Sequence, residues 1–430
     1  VPMLTLFIFI VLLVLILLNV PIAIAMGMTA VCFFIGLGQG ASLTMLAQRM
    51  FYGTTGFTLL AVPFFILAGN LMNSGGITNR IFRFARALVG HVPGGLGQVS
   101  VISSVIFSGM SGSAVADAAG LGQIEQKAMI DDGYDPVVAA SMVASSSVIG
   151  PIIPPSIPFV FYGALTAVSV PRLFMAGFLP GIIMALAQML IIAIMAKPRN
   201  FPRASRVSCK EFIEATAGAF FPLMTPVIII GGIMTGLFTP TEASVIACIY
   251  SIILGLIYKD LKVKDLPGIF WDTIKASAGL LLIMAVANFF GWFVMYQQIP
   301  NKLITSLASM GASGSGVMAI VICVILIMGL FMEGNAILFI TIPIFLPIFK
   351  MYGFDLINLG VVLTLLIMIG NLTPPVGMCL FAVAGHAKVP IMKLGIECLP
   401  YVIGILLITI IMAYVPQIST FLPNLLMGAE

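Results

Sequence analysis

The chain has 430 residues, of which 61% are hydrophobic and only 8% are charged, and its formal net charge is +4. This composition excludes a water-soluble globular protein, because a soluble fold needs a charged surface. The small positive charge reflects membrane orientation and gives no reason to expect a nucleic-acid partner. The sequence therefore predicts an all-α polytopic membrane protein that contacts lipid.

Apolar runs of about 20 residues, which can cross a hydrocarbon layer about 30 Å thick, occur along the whole chain. The predicted spans are Met3–Asn19, Pro21–Leu37, Phe57–Met72, Pro136–Ala167, Pro171–Ala196, Phe220–Leu237, Thr241–Tyr258, Ser277–Val294, Leu356–Gly385 and Pro390–Ala413. Two further apolar segments, 96–129 and 316–349, are interrupted by Ser111-Gly112-Ser113 and by Glu333-Gly334-Asn335. Each half is too short to span comfortably, so both segments are predicted to be re-entrant hairpins.

Two stretches that lie 220 residues apart share an unusual pattern. Gly150 is followed by Pro154-Pro155, and Gly370 is followed by Pro374-Pro375. Such a break frees backbone N–H and C=O groups that find no water in lipid. Because the break is kept twice, we infer that it is useful, and we predict that spans 136–167 and 356–385 are broken helices.

The number of crossings between the two copies predicts their relative orientation. Five crossings separate the span that begins at Phe57 from the one that begins at Ser277, and five is odd. The second copy is therefore predicted to be inverted, with repeat one at about 57–196 and repeat two at about 277–413 in a single transporter domain over residues 1–430. Inverted repeats of this kind are typical of secondary transporters, whose binding sites lie near the membrane midplane.

The positive charges give an independent test of this topology. If the loop after Met72 is cytoplasmic, 15 of the 19 lysines and arginines lie on the cytoplasmic side, as the positive-inside rule requires. Both termini are then predicted to face outward. Arginines at every third position from Arg80 to Arg86 predict a helix in the headgroup region, the alternative being a solvated linker. Its less charged counterpart is Asn301–Ser309.

Hydroxyl and backbone oxygens concentrate at the hairpin tips and at the breaks. Glycine permits the turns and exposes carbonyl groups, and a half-helix C-terminus adds the negative end of its dipole, so a hard cation is favoured there. A first sodium site is predicted at Ser108, Ser111, Ser113, Ser146 and Gly150. A second is predicted at Gly334, Asn335, Gly370, Asn371 and Thr373. Two or more Na⁺ ions are therefore the expected cofactors.

The same breaks create half-helix N-termini whose N–H groups direct positive charge into the midplane. No arginine or lysine lies in the middle of a predicted span, so these N-termini are the expected docking points for a carboxylate. The predicted substrate-binding residues are Ser113, Ser156, Asn335 and Val376. The alternative is that these small residues only permit close packing of helices.

Three acidic residues are predicted at membrane depth, where a carboxyl group indicates function by default. Asp117 follows the first tip by one turn, so it could add charge to the cation site or cap the second arm of the hairpin. Glu333 lies in the second tip. Glu242, after Thr239-Pro240, is equally consistent with a function and with a structural role at a helix start.

One short motif of the chain is also found in a class of membrane enzymes. Gly109-Met110-Ser111-Gly112 resembles the G-x-S-G motif of rhomboid intramembrane proteases, whose serine needs a membrane histidine. The chain has only His91 and His386, both at predicted span ends, so no catalytic residues are expected. A Walker A motif is absent, which favours ion gradients as the energy source.

The motifs at the tips and breaks resemble those of one family, the large membrane subunit of tripartite ATP-independent periplasmic (TRAP) transporters. The resemblance runs from about Leu4 to Pro416 and rests on 107–117 (FSGMSGSAVAD), 150–156 (GPIIPPS), 238–243 (FTPTEA), 340–343 (ITIP) and 371–377 (NLTPPVG). It implies sodium-coupled import of an organic acid across the bacterial inner membrane by an elevator movement. It also implies two partners, a small four-helix membrane subunit and a periplasmic substrate-binding protein.

Several alternatives stay open on sequence alone. A sodium or proton/carboxylate symporter that works without a binding protein is the nearest one, and an ion channel is more distant. The transported acid is not readable from these residues, although the overall resemblance leans towards sialic acid over C4-dicarboxylates.

Overall fold

The computed structural model describes residues 2–18, 20–36, 38, 44–203, 206–309 and 311–428, and this part of the chain is helical without β strands. The helices are α1 (Pro2–Leu17), α2 (Ile22–Gly36), α3 (Thr44–Thr54), α4 (Ala61–Ser74), α5 (Ile77–Val89), α6 (Gly95–Ser111), α7 (Ala114–Ala119), α8 (Leu121–Asp131), α9 (Pro136–Ser147), α10 (Ile157–Thr166), α11 (Val170–Ala196), α12 (Cys209–Met234), α13 (Pro240–Ile257), α14 (Leu266–Tyr296), α15 (Ile299–Ser309), α16 (Gly314–Gly329), α17 (Gly334–Met351), α18 (Leu356–Asn371), α19 (Met378–Ala387), α20 (Ile391–Tyr414) and α21 (Gln417–Met427).

Length and composition identify the membrane-spanning helices. Seven segments of the described chain are long and apolar enough to cross a bilayer: Phe57–Ser74, Val170–Ala196, Cys209–Met234, Pro240–Ile257, Val263–Tyr296, Gly334–Met351 and Ile391–Tyr414. Shorter apolar helices, among them α6, α9, α10, α16, α18 and α19, form the hairpins and broken helices. The prediction of an all-α polytopic membrane protein is confirmed.

Two helices extend well beyond the predicted spans. The helix α12 begins at Cys209 instead of near Phe220, and α14 covers Leu266–Tyr296 instead of 277–294. A capping box starts α12, in which the Ser208 N–H donates to Glu211 at 2.9 Å and the Glu211 N–H donates to Ser208 Oγ at 3.2 Å. Charged residues near the starts of these helices, among them Glu211 in α12 and Asp272 in α14, favoured a loop in the sequence, but both segments are helical.

The first hairpin reverses at a glycine. Helix α6 ends at Ser111, Gly112 takes a left-handed conformation with φ of 63°, and Ser113 caps α7. A Cβ at Gly112 would lie 2.7 Å from the Pro155 carbonyl oxygen, so the tip touches the break of its own copy. A second interruption at Gly120 separates α7 from α8.

The second hairpin reverses earlier than predicted. Helix α16 ends at Gly329, and α17 begins at Gly334 behind the N-cap Glu333. Gly334 and Asn335 are therefore helical, and of the predicted interruption only Glu333 precedes the helix. At 18 residues α17 is about 27 Å long. The prediction that this half of the segment is too short to span the membrane is therefore wrong.

Both predicted broken helices are present. The first runs as α9 and α10 and the second as α18 and α19, with cis peptide bonds at Pro154–Pro155 and Pro374–Pro375. A backbone hydrogen bond connects each hairpin tip to the break of its own copy. The Ile157 N–H donates to the Gly112 carbonyl, and the Val376 N–H donates to the Leu330 carbonyl, both at 3.3 Å. The same order of elements thus occurs twice, while the exact repeat boundaries stay predictions.

The segments before the hairpins are helical, as predicted for the first of them. Helix α5 buries Ile77, Ile81 and Ala85 and exposes Arg83 and Arg86, so it is amphipathic, and it packs on α6 and α12. Its counterpart, α15, packs on α14 and α17. The position of these helices relative to the headgroups stays a prediction.

Candidate functional site

A cavity of about 560 Å³ lies where the two hairpin tips and the two breaks converge. The tips contribute Ser111, Gly112, Ser113, Ala114, Glu333, Gly334 and Asn335, and the broken helices contribute Pro151, Ile157, Pro158, Met368, Asn371 and Met378. None of the described residues that line it is basic. A substrate here would meet hydroxyls, amides and backbone groups.

The opposite wall comes from α4 and α14. It includes Phe65, Gly69, Asn70, Asp272 and Leu280. The Asn70 amide donates to Thr273 Oγ1 at 3.0 Å, which ties α4 to α14 beside the cavity. The Asp272 side chain is 73% exposed, so the cavity extends from the tips to an exposed position on α14. This wall was not predicted, because no local signal marks these residues.

Asp117 lies at the centre of the first predicted cation site. Its carboxyl accepts a short hydrogen bond from Ser111 Oγ, and the residue is only 2% exposed. The second oxygen, Oδ2, has no hydrogen-bond partner among the described residues, and a Cβ at Gly150 would lie 2.4 Å from it. The structure thus joins Ser111 and Gly150 through a carboxyl group that the predicted ligand set omitted.

The other residues of the first set have local partners. Ser113 caps α7 by accepting from the Ala116 N–H at 3.4 Å, so Asp117 is not the cap. Ser108 Oγ donates to the Val105 carbonyl at 2.6 Å, which leaves its lone pairs available. Ser146 Oγ lies 2.8 Å from Ser100 Oγ. Whether Ser108, Ser113 and Ser146 bind sodium stays a prediction.

A buried network around Glu125 was missed from sequence. Glu125 is 1% exposed and accepts from Ser100 Oγ at 2.5 Å, and Ser100 in turn meets Ser146. Glu125 Oε1 and Ser103 Oγ are buried without a hydrogen-bond partner in the described chain. The available signal was an acidic residue inside an apolar segment, eight positions after Asp117.

We expect Glu125→Ala to lower stability by about 1–3 kcal/mol, because Ser100 loses its buried acceptor. Glu125→Gln should cost less, because the amide oxygen still accepts a hydrogen bond. Thermal unfolding in detergent measures both, with Glu214→Ala as the control at an exposed acid of α12. Equal unfolding temperatures for Glu125→Ala and the control would contradict the prediction.

The second predicted cation site surrounds the start of α17. The Asn335 amide donates to Glu333 Oε1 at 2.7 Å, while Glu333 Oε2 accepts from the Ala336 N–H at 3.1 Å. Asn335 Oδ1 is buried and has no hydrogen-bond partner among the described residues. Glu333 is therefore a helix cap that also orients Asn335, whose unpaired oxygen is available to a cation.

The broken helix completes this second cluster. Asn371 is 6% exposed and its amide approaches Met368 Sδ at 3.8 Å, and Thr373 Oγ1 donates to the Ile369 carbonyl at 2.7 Å. A Cβ at Gly370 would lie 2.9 Å from Gly329 Cα, so two helix backbones touch here. Asn335 and Asn371 both line the cavity, but Gly370 and Thr373 do not.

The four predicted substrate residues separate into two pairs. Ser113 and Asn335 line the cavity, whereas Ser156 and Val376 do not. Ser156 caps α10, accepting from the Phe159 N–H at 3.3 Å and donating to the Pro151 carbonyl at 2.5 Å. Val376 precedes α19 by two residues, and because its N–H donates to Leu330 it is not free to bind a carboxylate.

Glu242 and the G-x-S-G serine, Ser111, both have partners in the structure. Glu242 forms a capping box with Thr239, whose N–H donates to Glu242 Oε2 at 2.8 Å, so its role here is structural. The Ser111 hydroxyl donates a hydrogen bond to the Asp117 carboxyl and not to a histidine. His91 lines a separate surface pocket, and His386 contacts the Ala382 carbonyl. A serine protease site is therefore not assembled around Ser111.

Two solved structures share this fold. The YdaH transporter of Alcanivorax borkumensis aligns with a TM-score of 0.66 at 16% identity, covering 87% of this chain and 88% of that chain. MtrF of Neisseria gonorrhoeae aligns with a TM-score of 0.65 at 14% identity, covering 88% and 85%. At these identities the likeness establishes the fold alone.

Sequence relatives are much closer. The chain is 39% identical over 396 residues to the sialic acid TRAP transporter large permease protein SiaM of Vibrio cholerae, covering 92% of this chain and 93% of that protein. It is 39% identical to the sialic acid TRAP transporter permease protein SiaT of Haemophilus influenzae, of whose length it spans 65%. It is 37% identical to the C4-dicarboxylate TRAP transporter large permease protein DctM of Pseudomonas aeruginosa, covering 89% and 90%.

The model of one family, described as the DctM component of the tripartite ATP-independent periplasmic transporters, matches residues 9–418. This match covers the spans, both hairpins and both breaks, and the relatives are transporter subunits, not enzymes. The chain belongs to the family of large membrane subunits of TRAP transporters.

Proposed function

We propose that this chain carries out sodium-coupled import of an organic acid of the sialic acid or C4-dicarboxylate class. The printed names of its relatives in Vibrio cholerae and Pseudomonas aeruginosa supply these two substrate classes. A periplasmic binding protein would deliver the acid, and a small four-helix membrane subunit would complete the system. The proposed location is the bacterial inner membrane, with both termini on the periplasmic side.

The observation that carries this proposal is the convergence of both tips and both breaks on one cavity. A carboxylate that binds there needs positive charge, and no described lining residue is basic. Two sources can supply this charge: the N-termini of α7 and α17, which begin at the cavity wall, and sodium ions held beside them. Coupling would then follow because the substrate binds best when the ions are present.

Two sodium sites are proposed. Around the first tip, Ser108, Ser111, Ser113, Ser146 and Gly150 would supply oxygen ligands, and Asp117 Oδ2 would add a negative charge. Around the second tip, Asn335 Oδ1 would act with Gly334, Gly370, Asn371 and Thr373. The support is that each cluster contains one buried oxygen without a hydrogen-bond partner in the described chain, Asp117 Oδ2 in the first and Asn335 Oδ1 in the second.

An elevator movement is proposed for the cycle. Each tip is hydrogen-bonded to its own break, so a hairpin and its broken helix can move together. The facing wall belongs to α4 and α14, which lie outside both hairpins and both breaks. Displacement of the hairpin block along this wall would carry the cavity across the membrane.

The test is uptake into proteoliposomes that contain this chain, its small subunit and the cognate binding protein. An inward sodium gradient is expected to drive accumulation of the acid. Uptake that is the same with and without sodium would reject the coupling, and full uptake without the binding protein would favour the binding-protein-independent symporter. Ser113→Ala and Asn371→Ala should each raise the sodium concentration for half-maximal uptake, unlike Ser306→Ala at an exposed position. An unchanged requirement in both would reject the site assignment.

A further inference from the structure

A second feature of the surface lies between α5 and α12, formed by residues that do not line the central cavity. A pocket of about 480 Å³ is lined by Leu88, His91, Arg206, Cys209, Phe212 and Ile213, among others. An adjoining groove of about 470 Å³ is lined by Phe212, Ile213, Thr216, Ala217, Phe220 and Phe221. The pocket and the groove share Phe212 and Ile213, so together they form one continuous depression with a polar end and an apolar end.

The polar end is basic and lacks internal neutralisation. Arg206 is exposed and makes no ion pair with the described residues, and Arg83 and Arg86 on the exposed face of α5 likewise make none. The two acids of α12, Glu211 and Glu214, form no ion pair with Arg206 among the described residues. This end of the depression therefore offers an arginine without an ion-pair partner in the described chain to an anionic group.

The apolar end follows one face of α12. Phe212, Thr216 and Phe220 recur every four residues, and the rings of Phe220 and Phe221 meet edge to face at 5.5 Å. The Thr216 hydroxyl donates to the Phe212 carbonyl at 2.7 Å, so the one polar side chain of the groove is already satisfied. The groove runs for about 13 Å along the helix, from residue 212 to residue 221.

We propose that this depression binds a phospholipid with an anionic head group. Its phosphate would contact Arg206 and His91, and one acyl chain would lie along α12 between Phe212 and Phe221. The basic end lies where the arginine distribution predicts the cytoplasmic surface, and the apolar end continues from there along α12. A phospholipid has the same arrangement, with its head group at the surface and its acyl chains in the membrane. A helix from another subunit would use the groove without requiring the basic end.

Such a lipid would connect two separate parts of the protein. His91 lies two residues after α5, the helix that leads into the first hairpin, while Arg206 lies three residues before the span α12. The Tyr134 hydroxyl lies 2.8 Å from the Gly94 carbonyl and 3.1 Å from the Pro202 carbonyl, so it bridges the start of the first hairpin and the segment after α11. Pro202, four positions before Arg206, thus lies against the end of the first hairpin.

The experiment uses Cys209 as a reporter. Of the six cysteines, only Cys32, Cys209 and Cys323 are exposed, so Cys32→Ser with Cys323→Ser leaves Cys209 as the one accessible thiol. The rate of its alkylation by a maleimide is measured for the full chain in nanodiscs of phosphatidylcholine, with and without phosphatidylglycerol. Phosphatidylglycerol is expected to slow the reaction several-fold.

Removing the basic groups tests the head-group contact. Arg206→Gln with His91→Gln should abolish the slowing, since an arginine near the membrane surface contributes about a fivefold preference for anionic lipid and the His91 ring can donate a hydrogen bond to the phosphate. The matched control is Lys393→Gln with His386→Gln, which removes one cation and one histidine on the same predicted side; it should keep the slowing. Equal alkylation rates in both bilayers, or slowing that survives Arg206→Gln with His91→Gln, would overturn the proposal.

Discussion

Gly370→Ala is expected to reduce sodium-driven uptake by about tenfold or more. A Cβ at this position would lie 2.9 Å from Gly329 Cα and 3.0 Å from the Gly329 carbonyl oxygen. Both are backbone atoms, so no side chain can rotate away, and α16 must separate from α18. This crossing joins the second hairpin to the second broken helix, one residue before Asn371.

Initial uptake rates in proteoliposomes measure the effect, normalised to the amount of folded protein. Gly385→Ala is the matched control, because a Cβ there meets no atom within 4 Å. Gly329→Ala should act like Gly370→Ala, since its Cβ would lie 3.1 Å from Gly370 Cα. If Gly370→Ala transports as fast as Gly385→Ala, close backbone contact at this crossing is not required for transport.

The hairpins and broken helices could be predicted because their signals are local. The glycine between two serines at the first tip and the two Pro–Pro pairs disfavour helix strongly through their own backbone geometry, without reference to distant parts of the chain. The starts of α12 and α14 were predicted too late in the chain, because a membrane helix can continue into the headgroup region with charged residues such as Glu211 and Asp272 near its start. The second tip lies earlier in the chain than predicted. Glu333 accepts from the Ala336 N–H and so caps a helix that includes Gly334 and Asn335.

The site was only partly predictable, because much of it depends on contacts between distant parts of the chain. Oxygen-bearing residues at the tips and breaks pointed to Ser111, Ser113, Asn335 and Asn371, which all line the cavity. The wall from α4 and α14 depends on packing between segments such as Asn70 and Thr273, 203 residues apart. No pattern in the sequence marks such a pair.

The same limit explains the carboxyl groups. Asp117 was recognised as an acid at membrane depth, but its contact with Gly150 joins the hairpin to the break and cannot be read from spacing. Glu125 reaches Ser146 only through Ser100, which lies 46 residues before Ser146. The residue types at the tips and breaks therefore predicted where oxygen ligands are found. Which carboxyl group lies beside them depends on tertiary packing.

Asp117→Asn is expected to raise the sodium concentration for half-maximal uptake by about tenfold, equivalent to about 1.4 kcal/mol of lost ion binding. Asparagine keeps an oxygen that can accept from Ser111, so the tip should fold normally, but the negative charge beside Gly150 is lost. A unit charge about 4 Å from a cation contributes about 4 kcal/mol at an effective dielectric constant of about 20. A tenfold effect is therefore a conservative expectation for a carboxyl in direct contact with the ion.

The measurement is the sodium dependence of uptake at saturating substrate, compared with Asp272→Asn. Asp272 lines the same cavity, but its side chain is 73% exposed and Lys275 Nζ lies 3.8 Å from it, so losing its charge should leave the sodium requirement unchanged. If Asp117→Asn lowers the maximal rate at every sodium concentration without shifting the half-maximal value, Asp117 supports the tip and does not bind the ion. A shift shared by both variants would instead indicate a general electrostatic effect of the cavity, because only Asp117 contacts Ser111 and Gly150.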